Sequence, residues 1–393
     1  MRILFVSDTY YPHINGVYYF VCRIGPLLQE KGHEIAVMAP SDSVRSSKKK
    51  IDNLDVYGLP SVSAIYYPSI RIPIPLFLKS RVSQIIQNFK PDIIHIQDHF
   101  SISKEVVRVN RHLKIPIIGT NHFMPENFTV HVHGENFRRR FENFLWKDFS
   151  RVFNQVDLVT TPTETGALLI RPKLKVDVIA ISSGISLESF NPAGSTHLIK
   201  EKYSIPDKPI LLYVGRLDPE KHIEEILQAV AKAIKKIDFC FVVVGKGIRK
   251  TALEKLTHQL GIADNVIFTG FVPDEDLPYF YKLSRCFIIA SIAELLSLAT
   301  LQAMASGLPV IAVNAGALVE LVNDNMNGYL FREGDITAIV QYIENIMTDD
   351  ELYRRMGEKS LEYIQQHDLY KTLGSFEKLY QVLAGRSRTA VRL

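Results

Sequence analysis

Cysteine is scarce in this chain. Its 393 residues hold three, Cys22, Cys240 and Cys286, odd in number, widely spaced and embedded in apolar runs. A disulfide framework or a thiolate zinc site is not expected from such a set, and the three read as buried free thiols in a reducing compartment. Long apolar runs are absent as well. The opening run, ended by Ser7 and Asp8, is too short for a signal-peptide core, and no later stretch approaches a membrane span. A cytoplasmic location is expected on this ground. Repeats of solenoid period and low-complexity tracts are also missing, so a repeat array is not expected.

What remains is an ordinary globular balance, with 47% apolar and 22% charged residues. The length exceeds what one core organises, which predicts two domains. The net charge of +4 is unevenly spread. Residues 1 to 190 carry 23 Lys and Arg against 17 Asp and Glu, a net of +6. Subtraction from the totals of 46 and 42 leaves 23 against 25, a net of −2, for residues 191 to 393. A basic first half favours an anionic partner such as nucleic acid or an acidic membrane surface.

Short apolar runs alternate with helical patterns from end to end, the signature of parallel βαβ units. In the first half residues 3–7, 34–40, 92–96, 116–120 and 157–161 read as strands. In the second half residues 210–215, 239–245, 265–270, 286–290 and 309–313 repeat the scheme. Uninterrupted apolar strands are expected where both faces of a sheet are covered, so two doubly wound domains follow. Turn formers place the seam near residues 186 to 208. A helical stretch from about 350 to 384 precedes a polar, basic tail. Ligands of such folds bind beyond the carboxyl ends of the strands.

Two segments after strands carry chemistry. Gly215-Arg216-Leu217-Asp218-Pro219-Glu220-Lys221 places Arg216 and Lys221 around a helix start at Pro219. Two cations there suit a diphosphate leaving group, whose charge grows as its bond breaks; a loop ion pair to Asp218 or Glu220 is the plainer alternative. After residues 286–290 comes Ser291-Ile292-Ala293-Glu294, with Gln302 eight residues further on inside a helix of small apolar residues. Glu294 can accept hydrogen bonds from sugar hydroxyls, or simply face a helix dipole.

GRLDPEK (215–221), the Glu294 segment with its ASGLPVIA tail, and NAGALVELVNDNMNGYLF (314–331) together resemble glycosyltransferase family 4. YYPHINGV (10–17), KGHEIAVMAP (31–40), PDIIHIQDHF (91–100) and SSGISLESFNP (182–192) extend the resemblance over nearly the whole chain. ELLSLATLQAMASGLPV and GTNHFMPENF (119–128) are similar to the branch that glycosylates diacylglycerol. The resemblance implies an α/β chain of the GT-B fold, with two doubly wound Rossmann-like domains facing across a cleft. Residues 1–190 would form the acceptor- and membrane-facing domain and residues 191–365 the nucleotide-sugar domain. Residues 366–393 would form a helix crossing back, with a tail. It further implies that Arg216 and Lys221 hold the diphosphate, that Glu294 binds the transferred sugar, and that His122 reaches the sugar near the reacting carbon. Gly16 would let backbone approach the phosphates, and Val272, Leu298 and Gln302 would complete the donor site. The family is metal-independent and retains anomeric configuration, the leaving phosphate taking the acceptor's proton, so no cofactor and no dedicated base are expected.

Two positions depart from the family pattern. Gln302 stands where a second glutamate usually contacts the ribose, and Ser186 where an aspartate is usual. Glutamine forgoes a charge-assisted bond, on the order of 1 kcal/mol. Several other signals read as plain structure. Asp274-Glu275-Asp276 matches a D-x-D metal motif but precedes an apolar-periodic helix. His131-Val132-His133 lacks a third ligand at metal spacing, and Gly245-Lys246-Gly247 lacks P-loop spacing.

From Phe137 to Phe153 aromatic and aliphatic residues recur at helical spacing beside Arg138, Arg139, Arg140, Lys147 and Arg151. With Trp146, the chain's single tryptophan, this reads as an interfacial helix on anionic lipid; packing against the sheet is the alternative. Residues 65 to 81, with Arg71, Lys79 and Arg81, form a second candidate. The expected activity is transfer of glucose from UDP-glucose to diacylglycerol, by a protein peripheral on the inner face of the plasma membrane. Phosphatidylinositol or a soluble sugar is the alternative acceptor, and a non-catalytic nucleotide-sugar-binding protein the reading of another class. No nucleic-acid recognition module is present.

Overall fold

The structure, a computed structural model, describes residues 1–13, 15–64, 70–125, 134–190 and 195–390, and the side chains of these up to residue 385. The pair His131 and His133, part of the 65–81 segment and the end of residues 119–128 lie outside the described residues. The chain divides into two compact units, Met1–Gly184 with Leu369–Leu393, and Ile185–Asp368. The passage between them falls just before the turn-rich stretch at 186 to 208, because Ile185 already bridges to Asp368 in the second unit.

The first unit is built on β1 (Arg2–Val6), β2 (Glu34–Pro40), β3 (Ser47–Ile51), β4 (Leu54–Leu59), β7 (Ile93–Ile96), β8 (Ile117–Thr120), β9 (Leu158–Thr161) and β10 (Val178–Ala180). Their order is β10-β9-β8-β7-β1-β2-β4-β3. All pairs are parallel except β3 with β4. A short antiparallel pair, β5 (Ser61–Ser63) and β6 (Arg71–Pro73), stands apart. β1 is wholly apolar from Ile3 to Val6, and those four residues are fully buried, as the reading of doubly covered strands expects. The final helix, Leu369–Ala390, lays Leu373, Phe376 and Tyr380 into the same core as Phe5 and Phe20. It is separated from the helix Asp350–Tyr363 by a single 3₁₀ turn, so the helical stretch read as continuous from 350 is broken at Ile364–His367.

The second unit has six parallel strands: β11 (Ile210–Val214), β12 (Cys240–Val244), β13 (Val266–Gly270), β14 (Cys286–Ile289), β15 (Val310–Val313) and β16 (Gly328–Phe331). Their order is β13-β12-β11-β14-β15-β16. β11 lies between β12 and β14, so the order reverses there, and the crevice at such a switch point is where open α/β sheets take ligands. Cys240 and Cys286 are buried in this core and Cys22 is half-buried in the first unit. Burial pushes the Cys240 thiol up to about 11.

Candidate active site

Both ends of the switch point contribute side chains. After β11 the chain makes a 3₁₀ turn, Pro219–Lys221, then a left-handed residue, His222 (φ 49°), before the helix Ile223–Ala233 begins. Pro219 therefore opens a turn and not the helix itself. The loop after β12 packs against this segment at backbone distance: a Cβ on Gly245 would fall 1.8 Å from the Gly215 carbonyl oxygen. Only glycine permits that approach. The Leu217 N–H donates to the Lys246 carbonyl at 2.9 Å, tying the two loops together.

After β14 the loop from Ser291 to Ser297 leads into the helix Leu298–Ala305, whose first turn Ser297 caps by accepting from the Thr300 N–H. Glu294 is fixed in this loop by the Ala317 N–H, which donates to its carbonyl at 3.0 Å. The NAGALVEL segment thus positions Glu294. Lys221 reaches across from the β11 side. Its Nζ donates to Glu294 Oε1 at 2.7 Å and to Ser291 Oγ at 3.2 Å. The two side chains are only 12% and 15% exposed, so this pair is largely withdrawn from solvent.

Around the pair lies a cavity of about 140 Å3, lined by Gly215, Arg216, Lys221, Glu294, Ser297 and Leu298 among others. It holds four of the residues assigned to the donor. Arg216 is 61% exposed and is bound by its own loop, to Asp218 and, at 2.6 Å, to Glu220. The plainer alternative for Arg216, a loop ion pair, is thus what the structure contains. Gln302 does not line the cavity; its Oε1 accepts from the hydroxyl of Tyr281 at 2.8 Å, where Tyr281 is fully buried. Val272 turns its side chain into the core, leaving its backbone for any ligand contact. Ser186 accepts from Ser189 at 2.8 Å. Tyr213 and Ser291 were not singled out by the sequence reading. The Tyr213 hydroxyl, held protonated by burial, donates to the Arg216 carbonyl at 2.8 Å. Neither residue stands out by type or spacing in a strand-end run.

In the first unit His122 follows β8, and its Nε2 lies 2.9 Å from Gln97 Oε1. Burial lowers its pKa to about 4, so the ring is neutral at physiological pH. Gly16 starts the helix Gly16–Glu30, capped by Asn15, and among the described residues, its chain neighbours and its own helix backbone apart, no atom lies within 4 Å of where its Cβ would be. Packing does not require a glycine there. Asp8 and Asp98 form a buried acidic pair beside β1 and β7. Asp8 accepts from the Ile102 N–H at 2.9 Å, and burial together with Asp98 pushes its carboxyl up.

The helix Glu135–Phe153 is divided. Phe149, Val152 and Phe153 are buried, while Phe137 and Phe144 are 65% and 63% exposed. Arg138, Arg139, Arg140 and Lys147 are exposed. Trp146 departs from the interfacial reading: its ring packs edge-on against Phe123 and Phe149, and Lys173 Nζ lies 4.6 Å from its centroid. The apolar residues of the carboxyl-terminal half are therefore core or half-buried, while Phe137, Phe144 and the basic residues stay exposed. Among the described residues no helix is long and apolar enough to cross a membrane. Asp276 accepts from Lys202 at 2.6 Å and Tyr203 at 2.7 Å ahead of the helix Leu277–Leu283. Ligand atoms of His222, Glu225 and Glu333 come within 4.8 Å of one another. Glu225 there accepts from the Gly334 N–H and contacts the His222 ring, contacts that account for the arrangement.

Residues 14–189 match the family described as Glycosyltransferase Family 4, and residues 195–363 the one described as Glycosyl transferases group 1. Over 372 residues, 92% of this chain and 82% of the relative, it is 32% identical to an alpha-monoglucosyldiacylglycerol synthase of Streptococcus pneumoniae. The chain belongs to glycosyltransferase family 4. Within the family it resembles the diacylglycerol glucosyltransferase branch. This family 4 glycosyltransferase also matches sucrose-phosphate synthase from Thermosynechococcus elongatus, with a TM-score of 0.79 at 20% identity over 98% of this chain and 99% of that one. It matches Anabaena HepE in complex with UDP-glucose with a TM-score of 0.74 at 16% identity over 98% and 100%. The shared fold is GT-B, with two Rossmann-like domains.

Proposed function

We propose that this family 4 glycosyltransferase moves glucose from UDP-glucose to diacylglycerol at an anionic membrane surface, with retention of anomeric configuration and without a metal ion. The Lys221–Glu294 pair at the rim of the strand-end cavity carries the proposal. A diphosphate brings negative charge, and the largely withdrawn ammonium of Lys221 would face it in a setting where charge interactions are stronger than in water. Glu294 then accepts from hydroxyls of the sugar, which orients the anomeric carbon. As the bond to the diphosphate breaks, the acceptor oxygen bonds to that carbon and its proton passes to the departing phosphate. In the first unit His122 is neutral, so its own chemistry is that of a hydrogen-bonding group and not of a cation. The relative's name supports the lipid acceptor, and the complex of HepE supports the donor.

Membrane attachment rests on exposed residues of the first unit. Phe137 and Phe144, seven apart on one helical face, stand among Arg138, Arg139, Arg140 and Lys147. A second apolar surface is formed by Val62, Ile72, Leu76 and Phe77, the last at φ 65° and 68% exposed. Apolar side chains set among cations suit an anionic lipid surface.

Labelled UDP-glucose and GDP-mannose, each offered with vesicles containing diacylglycerol, vesicles containing phosphatidylinositol, or soluble sugars, test the proposal. Label should enter lipid with UDP-glucose and diacylglycerol. Label in phosphatidylinositol or a soluble sugar instead would reassign the acceptor, and UDP binding without any transfer would make the chain a binding protein.

A further inference from the structure

Gln97 and His122 meet at the carboxyl ends of neighbouring strands. Gln97 is the residue directly after β7, and His122 the second after β8. β7 lies beside β1, where the strand order of the first unit reverses, and open α/β sheets take ligands at that end of such a point. The transfer chemistry does not use Gln97.

Backbone contacts hold both residues in place. The Gln97 N–H donates to the Val6 carbonyl at 2.9 Å, which fixes it against β1, and its side chain is fully buried. On either side of His122 the chain is pinned: the Asn121 N–H donates to the Thr160 carbonyl at 2.7 Å, and the Phe123 N–H to Asn121 Oδ1 at 2.9 Å. Phe20 packs against the ring, with the two centroids 5.6 Å apart. The imidazole therefore has little freedom to turn.

The hydrogen bond to this ring decides where its proton sits. Gln97 Nε2 lies 3.5 Å from the His95 carbonyl oxygen, and Gln97 Oε1 lies 2.9 Å from His122 Nε2. With the amide turned over, its oxygen would face the His95 carbonyl oxygen, acceptor against acceptor. Oε1 thus faces His122, and an acceptor at that distance requires Nε2 to carry the hydrogen. A neutral ring has a single N–H, and burial keeps this ring neutral, with a pKa lowered to about 4. Nδ1 is left as a lone pair, without a partner among the described residues. A lone pair accepts from a hydroxyl and repels a phosphate oxygen. A buried amide in need of a partner would make the same contact for stability alone; the two roles differ in what they do to the proton.

We propose that Gln97 is a positioning residue that holds His122 as the Nε2–H tautomer, leaving Nδ1 to accept a hydrogen bond from a substrate hydroxyl during transfer. This rests on the glycosyltransferase reading above. Gln97 acts through the ring and touches no substrate. Methionine in its place, of similar length but without an acceptor, sets Nε2–H against an apolar group, and an unsatisfied buried donor is costly enough to move the hydrogen to Nδ1. Nδ1 then donates where it had accepted.

Two-bond 1H–15N spectra of the full-length protein labelled in histidine, with His122 assigned by its loss in His122→Asn, read the tautomer, and turnover is measured with UDP-glucose and diacylglycerol vesicles. The wild-type ring should carry its hydrogen on Nε2. Gln97→Met should move it to Nδ1 and lower kcat about tenfold. Two replacements of His122 separate its nitrogens: the amide of asparagine falls near the place of Nδ1 and that of glutamine near Nε2, so His122→Asn should keep more activity than His122→Gln. With asparagine at this position Gln97 has no ring to orient, and Gln97→Met should then lower turnover by less than about twofold further. A hydrogen on Nδ1 in the wild type, or one that stays on Nε2 in a folded Gln97→Met, would overturn the inference and leave the function standing. So would equal turnover losses on the histidine and asparagine backgrounds, the pattern of a residue that serves stability alone. If Gln97→Met does not fold, the wild-type spectrum and the order of the two His122 variants decide in its place. Absence of any transfer by the wild-type protein, with the hydrogen on Nε2, would instead count against the function reading and take the role in transfer with it.

Discussion

Lys221 Nζ lies 2.7 Å from Glu294 Oε1, joining the turn after β11 to the loop after β14 through side chains 73 positions apart. The pair does two things at once. It neutralises a carboxylate and an ammonium that are both largely withdrawn from water, and it stands where a sugar diphosphate would meet a cation and a hydrogen-bond acceptor together. The first is a structural role and the second the catalytic role proposed for the pair, and substitutions separate them.

Lys221→Ala should lower turnover about a hundredfold, roughly 3 kcal/mol of transition-state stabilisation, because the ammonium faces charge that develops only as the bond breaks. The fold should survive, with a melting temperature lowered by a few degrees as Glu294 loses its partner. A well-folded variant that loses less than about threefold would reduce Lys221 to a structural partner of Glu294.

Glu294→Ala should impair transfer far more than the binding of UDP, since its carboxylate is assigned to the sugar and UDP carries none. Calorimetric titration with UDP beside a turnover assay checks this. Equal losses in both would place Glu294 at the nucleotide instead.

Gln302 should tolerate replacement by glutamate, because the Tyr281 hydroxyl can donate to either side chain. UDP affinity should change little, because Gln302 does not line the donor cavity. Tyr281→Phe, which leaves the Gln302 carbonyl oxygen without its donor, should cost about 1 kcal/mol of stability by denaturant unfolding. Complete loss of activity in Gln302→Glu would mean that the amide N–H itself is needed.

Acid should destabilise the first unit through its buried imidazoles. Burial lowers His99 and His122 to about 4, and His95 well below its usual value. Each folded pKa lies below the unfolded value of about 6.5, so the stability these groups contribute is present above that pH and is lost as pH falls toward 4. Asp8, raised by burial and by Asp98, has the opposite sign. Among the described residues neither ring nitrogen of His99 has a partner, and the ring packs among Phe100, Phe123 and Phe149. His99→Phe should therefore raise stability by about 1 kcal/mol and flatten the decline between pH 6.5 and 4. Urea midpoints that do not move with pH would refute the assignment.

Replacing Arg138, Arg139 and Arg140 by serine should weaken cosedimentation with anionic vesicles and lipid glycosylation together, while UDP binding stays intact. Each basic residue near an anionic surface contributes about 1 kcal/mol, and the attachment should fade at high salt. Unchanged vesicle binding would remove this helix from the membrane contact.

The strands β1, β2, β7, β8 and β9 of the first unit and β11 to β15 of the second were legible because each is an apolar run between turn formers. β3 was not, since Ser47-Lys48-Lys49-Lys50-Ile51 is a polar edge strand without an apolar signature; β4 is interrupted by Asp55 and Gly58, β10 has only three residues, and β16 lies inside the 314–331 segment that was read for its resemblance and not as a strand. The helix Glu135–Phe153 was legible as a helix, but its composition alone could not show that Trp146 is spent on Phe149 while Phe144 is left exposed. At the site, spacing alone left Arg216 open between phosphate ligand and loop ion pair. Lys221 and Glu294 stood out through resemblance, and no spacing rule brings position 221 to position 294. The register of β11 beside β14 does that.

The stereochemistry of the lipid product tests the central claim most directly. The protein is incubated with UDP-α-glucose and diacylglycerol vesicles in the presence of a metal chelator, and the anomeric proton of the glycolipid is read by NMR. The account predicts an α-linked glucosyl lipid, formed at an undiminished rate under chelation and lost in Glu294→Ala. A β-linked product, or activity that the chelator abolishes, would contradict it.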